Sequence, residues 1–157
     1  MPGPDQPTPA ADLPRLVGIN HVALEVGDID AALAFYGRFL AFTLRGRHGD
    51  SMAFVDAGDQ FLALSAPRSQ PPDDGRHFGL VVTDRDAVRR VLAAADIVPE
   101  PGRGLRVRDP WGNLVELVQY DEVQFSKTAQ VLDGMGLGGL GKSAATAREL
   151  REKFGER

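Results

Sequence analysis

The sequence predicts an α+β fold: two βαβββ modules forming a cupped mixed β-sheet, with helices on its outer face. Three observations predict it: an internal repeat, a change of hydrophobic period within each copy, and turn-forming residues punctuating the rest of each half. The repeat appears when INHVALEVGDIDAALAFY, from Ile19, is laid over GRHFGLVVTDRDAVRRVL, from Gly75. His21 then falls on His77, Leu24 on Leu80, Val26 on Val82, Asp28 on Asp84, Asp30 on Asp86 and Ala31 on Ala87.

Each copy begins as a strand and continues as a helix. Val22, Leu24 and Val26 lie on one side of the first strand, with His21, Ala23 and Glu25 on the other. Asp28 or Asp30 can cap a helix whose apolar positions Ile29, Ala32, Leu33, Tyr36 and Leu40 recur at helical spacing. The second copy offers Phe78, Leu80 and Val82 on its strand, Thr83 or Asp84 as cap, and Val88, Val91 and Leu92 on its helix. Strands are then expected at Phe42–Arg47, Met52–Val55 and Phe61–Ser65, the last two joined through Ala57-Gly58-Asp59. In the second half, Leu105–Arg108 and Leu114–Tyr120 flank the turn Asp109-Pro110-Trp111-Gly112-Asn113. Between Ile97 and Gly104 the prolines and glycines allow only a short or irregular strand.

These boundaries give one domain at 16–121: module one at 17–65, a linker at 66–75 carrying APRSQPPDDG, and module two at 76–121. Residues 1–15 are proline-rich without an apolar run, and are expected to be a disordered lead-in rather than a signal peptide or anchor. Residues 122–157 are expected to be a flexible tail with a short charged helix over Ala144–Phe154. Its run GLGGLGKS has phosphate-loop spacing, yet nothing upstream forms the strand such a loop follows.

A chain of 157 residues supports one shared core, not two independent ones. With a net charge of -4 and no basic stripe, nucleic acid is a poor partner, and a small-molecule ligand fits better. Nothing is apolar for long enough to span a membrane, so a soluble cytoplasmic protein is expected. The absence of cysteine leaves histidines and carboxylates as metal donors.

Laying the closing hairpin at Asp56–Leu64 over Asp109–Leu117 places Ala63 on Glu116. Four repeat-related positions therefore hold His21, His77, Glu116 and Ala63. A carboxylate between Val115 and Leu117 calls for a partner, since charged groups are seldom buried unpaired. A single histidine on an apolar strand is ordinarily a hydrogen-bonded core residue. Two histidines and a carboxylate at equivalent positions point instead to a divalent metal, Fe, Mn, Ni or Zn, with open coordination positions.

The segments INHVALEVGDIDAALAFYGRFLAF, RHFGLVVTD and VRDPWGNLVELVQ resemble the vicinal oxygen chelate superfamily, which includes glyoxalases, extradiol dioxygenases, epimerases, fosfomycin-resistance transferases and bleomycin-binding proteins. The resemblance implies paired modules around a cupped sheet and a homodimer whose sites lie at module or subunit interfaces. His21, His77 and Glu116 match its metal ligands, while Ala63 stands where many glyoxalases and epimerases carry Glu or Gln. The implied chemistry is bidentate chelation of a small oxygen-rich substrate by a lyase, dioxygenase, isomerase or transferase. Glu25 and His48 are candidate bases, and Arg106, Arg108 and Trp111 are candidate substrate contacts. The competing expectation is a metal-free, drug-sequestering protein like the bleomycin-binding members.

Overall fold

The computed structural model describes residues 14–156, so the lead-in lies outside the described residues except for Pro14 and Arg15. The elements are β1 (His21–Glu25), α1 (Ile29–Gly37), β2 (Leu44–His48), β3 (Met52–Asp56), β4 (Phe61–Ser65), β5 (Phe78–Val82), α2 (Arg85–Ala94), β6 (Leu105–Arg108) and β7 (Leu114–Gln119). A single 3-10 turn at Tyr120–Glu122 leads to α3 (Ala129–Gly134) and α4 (Ala144–Phe154).

The two helix starts are the same local device used twice. Asp28 and Asp84 are extended, and each side chain accepts the N–H three residues on, from Ala31 at 2.7 Å and from Ala87 at 2.8 Å. This satisfies one of the N–H groups a helix leaves unpaired at its start. The buried sides of the helices, Ile29, Ala32 and Tyr36 on α1 and Val88 and Leu92 on α2, meet Leu24, Leu64, Leu105, Val107, Val115 and Leu117 in one core. Burying each such aliphatic chain contributes about 1.5–3 kcal/mol.

Strand alternation explains what remains outside that core. In β1, Leu24 is buried while His21 and Ala23 are exposed; in β7, Val115 and Leu117 are buried while Glu116 turns to the opposite side. The fold class is α+β, with mixed sheets. β1 runs parallel to β4, and β5 runs parallel to β7, with antiparallel neighbours completing each sheet.

Two features differ from the expected plan. The strands form two sheets, ordered β1-β4-β3-β2 and β5-β7-β6, rather than one continuous cup. The second module is βαββ, because residues 97–104 contribute no strand; toward β6 their backbone gives one bond, from Glu100 N–H to the Arg106 carbonyl at 2.8 Å. Pro99 and Pro101 have no N–H to give a ladder, and Gly102 and Gly104 adopt φ of 114° and 79°, outside strand geometry.

The tail forms the expected helix over Ala144–Phe154, and differs from expectation in carrying a second helix and in being anchored. It packs against both modules: Ser143 N–H donates to the Asp121 carbonyl at 3.0 Å, and Lys127 Nζ donates to the Ala57 carbonyl at 2.6 Å. Lys142 places its ammonium over the Tyr120 ring and donates to the carbonyls of Tyr120, Val123 and Phe125. No helix among the described residues is long and apolar enough to cross a membrane.

Candidate functional site

His21 opens β1 and His77 immediately precedes β5, and both are exposed with the same ring nitrogen occupied. His77 Nδ1 donates to the Gly75 carbonyl at 3.1 Å, and His21 Nδ1 faces the Asn20 side-chain oxygen at 2.8 Å. An oxygen acceptor at Nδ1 places the proton there and leaves the Nε2 lone pair outward, the tautomer a metal-binding imidazole uses.

His77 Nε2 lies 3.5 Å from Glu116 Oε2. That is long for a hydrogen bond but close to the separation of about 3 Å between neighbouring donors that each sit about 2.1 Å from one cation. Glu116 is on the central strand of its sheet, in register with Gly79 on β5 and Arg106 on β6. Its carboxylate rests in a cradle: a Cβ at Gly104 would lie 2.6 Å from Oε1. Arg106 brings its guanidinium to 3.9 Å from Oε2, while its Nε is buried without a hydrogen-bond partner among the described residues.

His21 does not complete this group within the chain. Among the described residues no three His, Cys, Asp or Glu side chains stand close enough together to hold a metal. His21 instead lies flat on Phe61, centroids 4.7 Å apart and planes 9° apart, at the edge strand of the other sheet. Phe61 meets Phe54 edge-on at 5.8 Å, and Phe54 meets His48 edge-on at 5.7 Å. The result is a row of rings across all four strands of the first sheet. Ala63 is buried on β4 between Ala23 and Phe54, and supplies no donor at the position equivalent to Glu116.

The other candidates separate by what already holds them. Glu25 is committed to the linker: its carboxylate accepts from the N–H groups of Ser69 and Gln70, both at 3.1 Å, and from the Ser69 hydroxyl. The Ser69 backbone N–H, assisted by that hydroxyl, Gln70 and Arg68, holds the Glu25 carboxyl below its ordinary range, which weakens it as a base. His48 lines an open cavity of about 490 Å³ with Gly27, Ser51 and Pro67.

Arg108 is occupied by Glu100 at 3.1 Å and by the carbonyls of Asp73 and Gly112 at 2.7 and 3.0 Å, so it organises the turn rather than reaching for substrate. Trp111 packs its indole over Gly27, where no Cβ would fit, and is half-buried against the core. A second cavity of about 200 Å³ lies between β1 and β5, lined in part by Ala23, Arg68, Asp73 and His77.

Gly104, Arg68 and Asp73 were not singled out from the sequence. Arg68 is buried and donates to the Glu25 and Pro71 carbonyls at 3.0 and 2.6 Å, and Asp73 is buried beside Arg76 at 2.6 Å. Only Gly104 had a local signal, its place in a Pro/Gly-rich stretch next to a strand.

Two β-α modules around one core, each with an exposed histidine at its start, define a two-module α+β protein. Residues 18–117 match the Glyoxalase/Bleomycin resistance protein/Dioxygenase superfamily, and the chain belongs to that family. It is 33% identical over 119 residues to an uncharacterized protein of Pseudomonas aeruginosa, covering 62% of this chain and 85% of that one. A lactoylglutathione lyase from Agrobacterium tumefaciens shares the fold with a TM-score of 0.56 and 24% identity, over 68% of this chain and 96% of its own. The fosfomycin resistance protein FosX of Listeria monocytogenes does so with a TM-score of 0.57 and 15% identity, over 74% and 98%.

Proposed function

We propose that the protein is a divalent-metal enzyme acting on a small molecule with adjacent oxygen atoms, in which His77 and Glu116 of one chain and His21 of a second copy hold the cation across a homodimer. The observation that carries this reading is the His77–Glu116 pair, 3.5 Å apart with the imidazole Nδ1 already tied to a carbonyl. Two donors from one chain are too few, and the exposed His21 on an edge strand is the third of matching chemistry. Fe, Mn, Ni and Zn all accept this donor set. When bound, such a cation supplies Lewis-acid stabilisation to charge developing on the substrate oxygens.

The chain's own residues divide the remaining work. Arg106, with a buried Nε that has no partner among the described residues and a guanidinium beside Glu116, pairs with an anionic substrate group. His48 is the better placed of the two candidate bases, because the Glu25 carboxylate is consumed by the linker. Arg108 and Trp111 shape the surrounding wall. A cytoplasmic location accords with the absence of a membrane-spanning helix among the described residues.

The competing reading, a metal-free sequestering protein, draws support from the row His21, Phe61, Phe54 and His48, a surface suited to planar ligands. Calorimetric titration with Ni(II) or Zn(II) separates the two. Wild type should bind one ion per chain, while His77→Ala, Glu116→Ala and His21→Ala should each lose at least tenfold in affinity. Co-refolding His21→Ala with His77→Ala should then restore one full site per heterodimer, since one of the two interfaces keeps every donor. No binding by wild type would favour sequestration, and no restoration in the mixed dimer would defeat the shared site.

A further inference from the structure

The family match ends at residue 117, while the described chain continues to 156 and folds back onto the first module. We propose that this C-terminal segment is a strap that positions the His21 side of the site, with Lys127, Val131 and Met135 as its contact residues. The proposal concerns how this chain holds His21, and its bearing on metal binding rests on the reading above.

The strap grips the β3–β4 turn. Lys127, whose side chain is only 9% exposed, donates to the Ala57 carbonyl at 2.6 Å and pairs with the Asp59 carboxylate, while its Nζ sits 5.3 Å from the centre of the Phe125 ring. Val131 and Met135 press on Gly58 so closely that a Cβ there would lie 2.9 Å from Val131 Cγ1 and 2.6 Å from Met135 Sδ. From the opposite side Arg45 bonds the same turn, to Asp56 at 2.9 Å and to the Gly58 and Gln60 carbonyls at 2.8 and 3.1 Å. Arg45 also stacks its guanidinium 4.8 Å from the Phe61 ring centre.

From the turn the path to the histidine is two residues long. Gln60 Nε2 donates to the Ile19 carbonyl at 2.8 Å, and Phe61 N–H donates to the Asn20 carbonyl at 3.3 Å. Asn20 accepts His21 Nδ1–H, and Phe61 is the ring on which His21 lies. A two-cation clamp thus sets the turn, the turn sets Phe61 and Asn20, and those two groups set the plane and the tautomer of the imidazole. The strap acts through these groups and touches no reacting atom. It is therefore a positioning element, of the kind whose removal lowers metal affinity about 10- to 100-fold without removing a ligand.

The test follows the His21 ring protons by NMR in the full-length protein without metal, in Lys127→Met, Met135→Ala and Lys127→Arg. Stacking on Phe61 shields those protons, so in Lys127→Met and Met135→Ala they should move downfield, while Lys127→Arg should restore much of the wild-type position. The Trp111 indole signal, packed over Gly27 beyond the far end of β1 from His21, should stay in place and reports an intact fold. If Lys127→Met failed to fold, the milder Met135→Ala would carry the test. Unmoved His21 protons in folded variants would overturn the strap. Ni(II) affinity in the same proteins should fall about tenfold in step with the shifts. Protons that move in a protein whose wild type binds no metal would uphold the strap and sink the metal reading, so the two failures are distinguishable.

Discussion

The two closing turns, Asp56–Gln60 in the first module and Asp109–Asn113 in the second, occupy equivalent places in the repeat, yet one is held by the other module and the other by the tail. In the second, Asp109 is buried and accepts from Trp111 N–H at 3.0 Å, Asn113 N–H at 2.8 Å, Asn113 Nδ2 at 2.7 Å and the Tyr36 hydroxyl at 2.9 Å. Asn113 Nδ2 also donates to the Glu25 carbonyl at 2.9 Å, so the turn reaches β1 and α1 of the first module. Burial, and then the neighbouring Asp109 carboxylate, raise the Tyr36 phenol far above its ordinary range, which keeps it a donor at every working pH. In the first, Gly58 stands where the second turn has Trp111, and Val131 and Met135 supply the missing bulk. Asp56 there is part-exposed and paired with Arg45. The same local frame can thus be completed from within the repeat or by a segment outside it, and what differs is how much of the completion is buried.

The sharpest way to break this comparison is to remove the equivalent aspartates. Asp109→Ala strands several buried donors and should cost about 3 kcal/mol or more, whereas Asp56→Ala removes a part-exposed ion pair and should cost about 1 kcal/mol or less. Urea denaturation of both variants measures the difference, and equal losses would show that the turns are not held differently. A smaller contrast is expected at the turn glycines, both with positive φ, 96° at Gly112 and 83° at Gly58. Each alanine variant pays about 1–2 kcal/mol for the left-handed backbone. Gly112→Ala should lose more, because its Cβ would lie 2.7 Å from the Pro72 Cα, a backbone atom, whereas at Gly58 the neighbours are ends of movable side chains.

The smallest effect is the response to acid. The hydrogen bond from Lys127 holds the Asp59 carboxyl below its ordinary range, against a smaller opposing effect of burial. A folded-state pKa below the unfolded one contributes stability that is complete above the unfolded value and is lost as pH falls through the folded one. The strap should therefore lose this contribution progressively as pH drops below about 4. Amide exchange over Ala129–Gly134 followed as pH falls would show it, and protection there that stays unchanged down to the acid unfolding of the whole protein would contradict it.

Much of the frame was legible in the sequence because it rests on short-range rules. Asp28 and Asp84 cap their helices three residues away, and β-strand alternation puts His21 and Glu116 on the faces opposite Leu24 and Leu117. The approach of His77 to Glu116 follows from the parallel pairing of β5 and β7. The capture of Glu25 by the linker was not legible, since Ser69 and Gln70 lie 44 and 45 residues along the chain and carry no pattern that names their acceptor. Neither was the tail's anchorage, which joins Lys127 to a carbonyl 70 residues earlier. Residues 97–104 stand between these cases: their prolines forecast a weak strand, and the structure forms none.

By itself the sequence determined the α+β class, the duplicated strand–helix units and the helix caps, because periodicity, caps and turn residues act over a few positions. Tertiary structure alone decided that His77 and Glu116 meet without His21, that Gly104 makes room for a carboxylate, and that the tail closes one turn while Tyr36 closes the other. Those outcomes depend on which distant surfaces come to share the same buried volume, and close packing settles that only when the whole chain is in place.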